Sequence, residues 1–143
     1  MAAEHTAHAS WQGDLMSGTG TVSTGSGAVS GVPLTWKARA EDASAGSSPE
    51  ELIAAAWAAC IAMALSNGLA KAGNPPEKLE TSATLTFQPG EGIISAALTV
   101  RGTVPGLDDD GFRAAAEDAK KNCPVSQALS GIPDVSLDAQ LAS

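Results

Sequence analysis

The sequence predicts an α+β fold, because its strand-like and helix-like segments are grouped rather than strictly alternating. In order, it reads as three short strands, one long apolar helix, a β-hairpin, a pair of helices and a final strand. At 143 residues the chain is long enough to bury a core of its own, so we expect a single domain covering residues 1–143.

The first third of the chain is expected to form strands. Residues 9–12 and 20–24 are β-prone and are bounded by glycine-rich turns. Residues 34–40 alternate, with Leu34, Trp36, Ala38 and Ala40 on one side and the basic residues on the other. This pattern predicts a third strand that carries Arg39 on its polar face.

The long helix has a well-defined start. Ser48 is placed to cap it, Pro49 suits the first helical position, and Glu50 and Glu51 favour the positive end of the helix dipole. Residues 52–70 then contain no charge at all. Such a helix is expected to be buried on all sides or to cross a membrane. Its many alanines, its acidic flank and the lack of another apolar run favour a core helix, whose small side chains would let a second copy approach closely.

The remaining segments complete the fold. Residues 79–87 and 93–100 alternate on either side of a Pro-Gly-Glu-Gly turn, which predicts a hairpin. A helix follows Asp108, a shorter helix follows Cys123, and residues 135–141 alternate cleanly, as expected for a strand at a sheet edge.

Composition narrows the classes of function. The net charge of −8 and the absence of tyrosine argue against a nucleic-acid partner and against an anionic membrane surface. The polar N-terminus lacks the pattern of a secretory leader, and two cysteines are too few for a disulfide scaffold, so we expect a cytoplasmic protein. His5 and His8 have no cysteine nearby and only Glu4 as an acidic neighbour, and no metal site or cofactor is expected.

Cys60 and Cys123 are the candidate reactive groups, and each has an ordinary alternative. Cys60 lies within the apolar helix, where a free cysteine usually acts as a small hydrophobic residue. Cys123 precedes a helix start and follows Lys120 and Lys121. Both features lower a thiol pKa, although Cys123 could equally be a buried residue in a turn. On these grounds alone, Cys123 is the more reactive of the two.

Several motifs resemble the OsmC/Ohr family of osmotically inducible and organic hydroperoxide resistance proteins, in particular its OsmC branch. The resemblance runs along nearly the whole chain and is carried by residues 9–15 (ASWQGDL), 18–24 (GTGTVST), 48–66 (SPEELIAAAWAACIAMALS), 104–108 (VPGLD) and 119–129 (AKKNCPVSQAL). One departure is Trp57, where the family pattern favours a smaller or histidine-type residue; it is expected to reshape the surroundings of Cys60.

The resemblance implies antiparallel sheets wrapped around the central helix, an intertwined homodimer and a thiol-dependent peroxidase. Cys60 matches the peroxidatic cysteine, which becomes a sulfenic acid, and Cys123 matches the resolving cysteine, which closes a disulfide. Arg39 and Glu50 match the family's arginine and its carboxylate partner. The expected substrate is an organic hydroperoxide, with hydrogen peroxide as a poorer one, and the expected reductant is a dihydrolipoamide-like dithiol.

Two other functions stay open from the residues themselves. One is a thiol-disulfide oxidoreductase centred on Cys123, and the other is a small-molecule or lipid carrier with spectator cysteines. Along a helix that rises about 1.5 Å per residue, Glu50 and Cys60 are separated by roughly 15 Å. We therefore expect Glu50 and Arg39 to serve the Cys60 of a second subunit.

Overall fold

The computed structural model describes residues 1–142. Backbone contacts divide the chain into two compact units, Met1–Leu52 and the residues from Ile53 onward. The first unit contains three strands and a short helix, and a long helix begins near its end. The elements of residues 1–142 are β1 (Ala7–Gln12), β2 (Thr19–Thr24), β3 (Val32–Leu34), α1 (Trp36–Ala40), a 3₁₀ turn (Ala43–Ala45), α2 (Pro49–Lys71), β4 (Lys78–Gln88), β5 (Gly92–Thr103), α3 (Asp109–Asn122), α4 (Pro124–Ala128) and β6 (Asp134–Leu141).

The first unit is an antiparallel sheet in the order β1-β2-β3, followed by α1. The predicted strand over residues 34–40 is wrong beyond Leu34, because the chain turns into a helix at Trp36. The Thr35 hydroxyl accepts a hydrogen bond from the Ala38 N–H at 3.1 Å and so caps this helix. Alternation over seven residues did not reveal the cap, and Arg39 consequently lies on a helix rather than on a strand.

The second unit contains a sheet in the order β4-β5-β6. Strands β4 and β5 form the predicted hairpin. Strand β6 lies at the sheet edge, as predicted, but it runs parallel to β5, so the expectation of purely antiparallel sheets is wrong for this pair. The chain passes through α3 and α4 between the two strands, and a crossover of this kind returns it in the same direction.

One stripe of α2 belongs to the core of the second unit. Ser48 begins the helix as predicted, since its hydroxyl accepts from the Glu51 N–H at 3.0 Å. The buried stripe then recurs every four residues, which is the spacing of one helix face. It packs with Phe112 of α3 and with strand residues, and it consists of Trp57, Ile61, Leu65 and Leu69.

Part of α2 outside this stripe is exposed in the single chain, contrary to the expectation of burial on all sides. Ala55, Ala56 and Ala59 are exposed, and Met63 is 73% exposed. By length and composition alone, α2 is apolar enough to cross a membrane: an 18-residue stretch of it has a mean hydropathy of 1.8, and 22% of that stretch is buried. A core helix of a soluble protein meets the same criterion, so the helix by itself does not indicate a membrane protein.

Candidate active site

The two cysteines lie against each other in the second unit. Cys60, near the middle of α2, is partly buried, whereas Cys123, between α3 and α4, is fully buried. Both are free thiols, and their sulfur atoms are 2.8 Å apart. A disulfide bond measures about 2.0 Å, so a small movement would join the two sulfur atoms. Spacing in the sequence did not reveal this proximity.

The junction of two helices holds Cys123 in place. Its N–H donates to the Ala119 carbonyl at 2.8 Å and ends α3, while its carbonyl accepts from the Gln127 N–H at 3.0 Å in α4. Pro124 disfavours helical backbone angles in the residue before it, and Cys123 is accordingly extended, with φ −61° and ψ 123°. The proline thus separates the two helices at the residue that bears the thiol.

The surroundings of the pair favour ionisation at Cys123. Burial raises the pKa of Cys60, the hydrogen bond with Cys123 raises it further, and the N–H of Val125 only partly offsets them. Burial also acts to raise the pKa of Cys123, but it is outweighed by the hydrogen bond with Cys60 and by the polar N–H and hydroxyl groups of Val125 and Ser126, so the net pKa is lowered.

The directions of the two pKa shifts agree with the sequence-based expectation that Cys123 is the more reactive thiol. The origin of the Cys123 shift differs from that expectation, since Lys120 and Lys121 are not among the causes of the lowered pKa. The stabilisation comes from neutral hydrogen-bond donors instead. None of the causes that act on the pKa of Cys60 is a positive charge.

Trp57 lies one helical turn before Cys60 and is 1% exposed. Its indole Nε1 donates a hydrogen bond of 2.7 Å to the Ser126 hydroxyl. The two side chains border a cavity of about 420 Å³ whose rim carries Glu117, Lys120 and Lys121. Trp57 is recognisable from the sequence as a departure from the family pattern, whereas Ser126 was not predicted to belong to the site. The available signal was a hydroxyl three residues after Cys123, at the first turn of α4.

Arg39 and Glu50 form an ion pair within the first unit. Arg39 Nε donates to Glu50 Oε1 at 2.9 Å, and Nη2 donates to Oε2 at 3.0 Å. The Glu50 side chain is 9% exposed and that of Arg39 is 34% exposed. The two-point geometry fixes the plane of the guanidinium group. Arg39 also borders a cavity of about 450 Å³ with aromatic and aliphatic walls formed by Trp11, Trp36, Leu15 and Leu34.

Within residues 1–142, no three histidine, cysteine, aspartate or glutamate side chains converge in a way that could hold a metal ion. Both histidines lie in the exposed N-terminal segment. The reactive and polar groups described above are the two thiols, the paired carboxylate and guanidinium, and the hydroxyl and N–H donors beside Cys123.

The α+β fold and the adjacent free thiols define a cysteine-based redox protein. The family model for OsmC-like proteins matches residues 41–138, and the chain belongs to that family, as the sequence motifs predicted. It is 42% identical over 138 residues to the peroxiredoxin OsmC of Escherichia coli strain K12, with 94% of each chain covered, and equally similar to that of Shigella flexneri.

Solved structures have the same fold. An organic hydroperoxide resistance protein OsmC from Legionella pneumophila is 26% identical, with a TM-score of 0.68 and coverage of 97% of this chain and 99% of that one. An OsmC-like protein from Mycoplasma pneumoniae is 16% identical, with a TM-score of 0.74 and full coverage of both chains. The second similarity concerns the fold alone.

Proposed function

We propose that this chain is a thiol-dependent peroxidase that reduces organic hydroperoxides, with hydrogen peroxide as a poorer substrate. The observation that carries the proposal is the distance of 2.8 Å between the sulfurs of Cys60 and Cys123. Two free thiols at this separation can exchange between a dithiol and a disulfide with little backbone movement. The names of the Escherichia coli and Legionella relatives support the same class of enzyme.

The proposed reaction has three steps. The Cys60 thiolate attacks the outer peroxide oxygen, the O–O bond breaks, and the alcohol leaves after gaining a proton, so Cys60 becomes a sulfenic acid. The Cys123 thiolate then attacks the Cys60 sulfur, an S–S bond forms, and the hydroxyl group leaves as water with one proton. Finally an external dithiol of the dihydrolipoamide type transfers two electrons and two protons, which restores both thiols.

The first step requires a Cys60 thiolate, which the second unit alone disfavours. A guanidinium beside the sulfur would favour it by charge and hydrogen bonding. Arg39, held by the buried Glu50, is the candidate. Because roughly ten helical residues, or about 15 Å, separate Glu50 from Cys60 along α2, we assign the Arg39–Glu50 pair to the Cys60 of a second subunit.

One feature of the single chain supports a homodimer with shared sites. The exposed face of α2 is rich in alanine and carries Met63 at 73% exposure, and a second copy of the helix would bury it.

The apolar cavity beside Arg39 has a volume of about 450 Å³, which suits the alkyl or aryl group of a hydroperoxide. Free thiols of this kind suit a reducing compartment, and we place the protein in the cytoplasm.

The division of labour between the cysteines is tested with two serine variants. We expect Cys60→Ser to abolish hydroperoxide consumption, because it removes the nucleophile. Cys123→Ser should still allow one oxidation of Cys60 per chain but no sustained turnover. Mass spectrometry after one equivalent of cumene hydroperoxide should show a Cys60–Cys123 disulfide in the unmodified protein.

The same experiment separates the alternatives. An oxidoreductase centred on Cys123 would keep its disulfide exchange in Cys60→Ser, and a carrier would keep its biological effect in both variants. Full peroxidase activity in Cys60→Ser, together with no disulfide in the unmodified protein, would exclude the proposed mechanism.

A further inference from the structure

Ser126 occupies a position that the peroxidase reaction, as described so far, does not use. It is the third residue of the short helix α4, and Cys123 is the residue that precedes this helix. Its hydroxyl accepts a hydrogen bond of 2.7 Å from the Trp57 indole. Trp57 and Cys123 are both buried, at 1% and 0% exposure. Ser126 thus links the helix that carries Cys60 to the junction that carries Cys123.

The number of donors at this position is limited. An indole N–H can only donate, and a serine hydroxyl has one hydrogen to donate and two lone pairs to accept with. Once Ser126 Oγ accepts from Trp57, its own hydrogen must be directed elsewhere. At the third position of α4, a side chain can reach back toward the residue that precedes the helix, as the glutamate of a capping box does. In α4 that residue is Cys123.

We propose that Ser126 donates its hydroxyl hydrogen to the Cys123 thiolate, and that Trp57 positions Ser126 to do so. Ser126 is then a further catalytic residue, because it contacts a reacting atom, and Trp57 is a positioning residue that acts through it. The proposal rests on the proposed peroxidase function. The lowered pKa of Cys123, to which the Ser126 hydroxyl contributes, agrees with it.

The hydrogen bond would act at two points of the cycle. In disulfide formation, it increases the thiolate fraction of Cys123, which attacks the Cys60 sulfenic acid while water leaves. In reduction, the thiolate of the external dithiol attacks Cys60, the S–S bond breaks, and Cys123 leaves as a thiolate. A thiol of lower pKa is the better leaving group. Cys60 is also the more accessible sulfur, so both effects direct the mixed disulfide to Cys60.

Other groups could also influence the titration of Cys123. The neighbouring thiol of Cys60 is in direct contact. Glu117, Lys120 and Lys121 of α3 border the cavity beside Trp57 and Ser126. The test therefore changes the hydroxyl and the indole N–H while keeping these charges constant.

Four variants isolate the hydroxyl. Ser126→Ala removes it, Ser126→Thr keeps it, and Trp57→Phe removes the indole N–H while keeping an aromatic ring in the core. Ser130→Ala is the matched control, since Ser130 is an exposed serine on the rim of the same cavity. Each is made in a Cys60→Ser background, where ultraviolet absorbance reports the ionisation of Cys123 alone, and each is also made in the protein with both cysteines.

We expect Ser126→Ala to move the Cys123 titration to higher pH and Ser126→Thr to restore it. Trp57→Phe should give a Cys123 pKa between those of the parent and Ser126→Ala, because the Ser126 hydroxyl can rotate once the indole N–H is gone. In the protein with both cysteines, Ser126→Ala should slow disulfide formation about tenfold at neutral pH, the order expected for one hydrogen bond to a charged group. The rate of Cys60 oxidation should not change. The difference in the rate of disulfide formation between Ser126→Ala and the unmodified protein should vanish at alkaline pH.

An unchanged titration in Ser126→Ala, with a native circular dichroism spectrum, would overturn the proposal. If Ser126→Ala does not fold, equal titrations of Trp57→Phe and the Cys60→Ser parent would overturn it instead. A purely structural role would lower thermal stability without moving the titration. The titration needs no peroxide, so its outcome is independent of the proposed function, which is tested separately by hydroperoxide consumption and by formation of the Cys60–Cys123 disulfide.

Discussion

Arg39 illustrates at the residue scale how the structure changes an expectation. The sequence placed it on the polar face of a strand, where its removal would cost little stability. In the structure it lies on α1 and makes two hydrogen bonds to Glu50, whose side chain is 9% exposed. Removing Arg39 leaves the buried Glu50 carboxylate without a compensating charge. We therefore expect Arg39→Ala to lower the free energy of unfolding as well as to affect catalysis.

The catalytic effect of Arg39→Ala has a defined sign. If the guanidinium stabilises the Cys60 thiolate, its loss raises the pKa of Cys60 and leaves less thiolate at neutral pH. Oxidation of Cys60 should then slow by at least about tenfold at neutral pH, the factor that corresponds to one pKa unit. The rate should recover as the pH is raised, because the thiol then ionises without help.

Titration of Cys60 in a Cys123→Ser background, at a temperature where the variant remains folded, gives the measurement. Lys37→Ala is the matched control, because Lys37 is an exposed cation on the same helix α1. It should leave the titration unchanged. If Arg39→Ala also leaves it unchanged, Arg39 does not belong to the site.

At the scale of elements, strand β5 packs tightly against a side chain of helix α3 at Gly102. A Cβ atom at this position would lie 2.6 Å from Cε1 and 2.7 Å from Cζ of Phe112, and 3.0 Å from Leu79 Cδ2. The Phe112 side chain is fully buried, so an added methyl group would press against a ring within the core. Gly102 is thus needed because its missing side chain makes room for the ring.

We expect Gly102→Ala to destabilise the fold by about 1–3 kcal/mol, the usual cost of adding a methyl group to a packed core. Denaturant unfolding measures the change. Gly131→Ala is the control, since a Cβ atom there has no neighbour within 4 Å, and it should change stability by less than about 0.5 kcal/mol. Equal stabilities for the two variants would show that β5 and α3 tolerate separation at this point.

On the scale of the whole molecule, the open face of α2 and the assignment of Arg39 to a second subunit make one joint prediction. A homodimer with shared sites contains two halves of each site on different chains. Cys60→Ser lacks the nucleophile and Glu50→Ala lacks the carboxylate that holds Arg39, so each homodimer should be inactive. Refolding the two together should produce heterodimers in which one site is complete.

In an equal mixture about half of the dimers are heterodimers, and each has one of two sites intact, so activity should recover to roughly a quarter of that of the unmodified protein. Differently tagged chains, purified in two steps, establish that exchange took place. No recovery in proven heterodimers would show that Glu50 and Cys60 do not act across the interface.

Local patterns in the sequence determined much of this protein. The Ser48 cap, the start of α2, the hairpin of β4 and β5 and the edge position of β6 follow from short-range rules of capping, turn formation and alternation. The motifs around Cys60 and Cys123 were sufficient to identify the OsmC-like family, because they lie in long runs that match it over most of the chain.

Only the tertiary structure decided how these residues meet. The helix cap at Thr35 is a local contact that the alternating pattern did not indicate. The parallel direction of β6 and the one-sided burial of α2 depend on long-range contacts that alternation and composition do not encode. The 2.8 Å separation of the two sulfurs and the hydrogen bond from Trp57 to Ser126 join residues more than 60 positions apart. The packing of α2 against the junction of α3 and α4 creates both contacts, and the same packing sets the order of the two thiol pKa values.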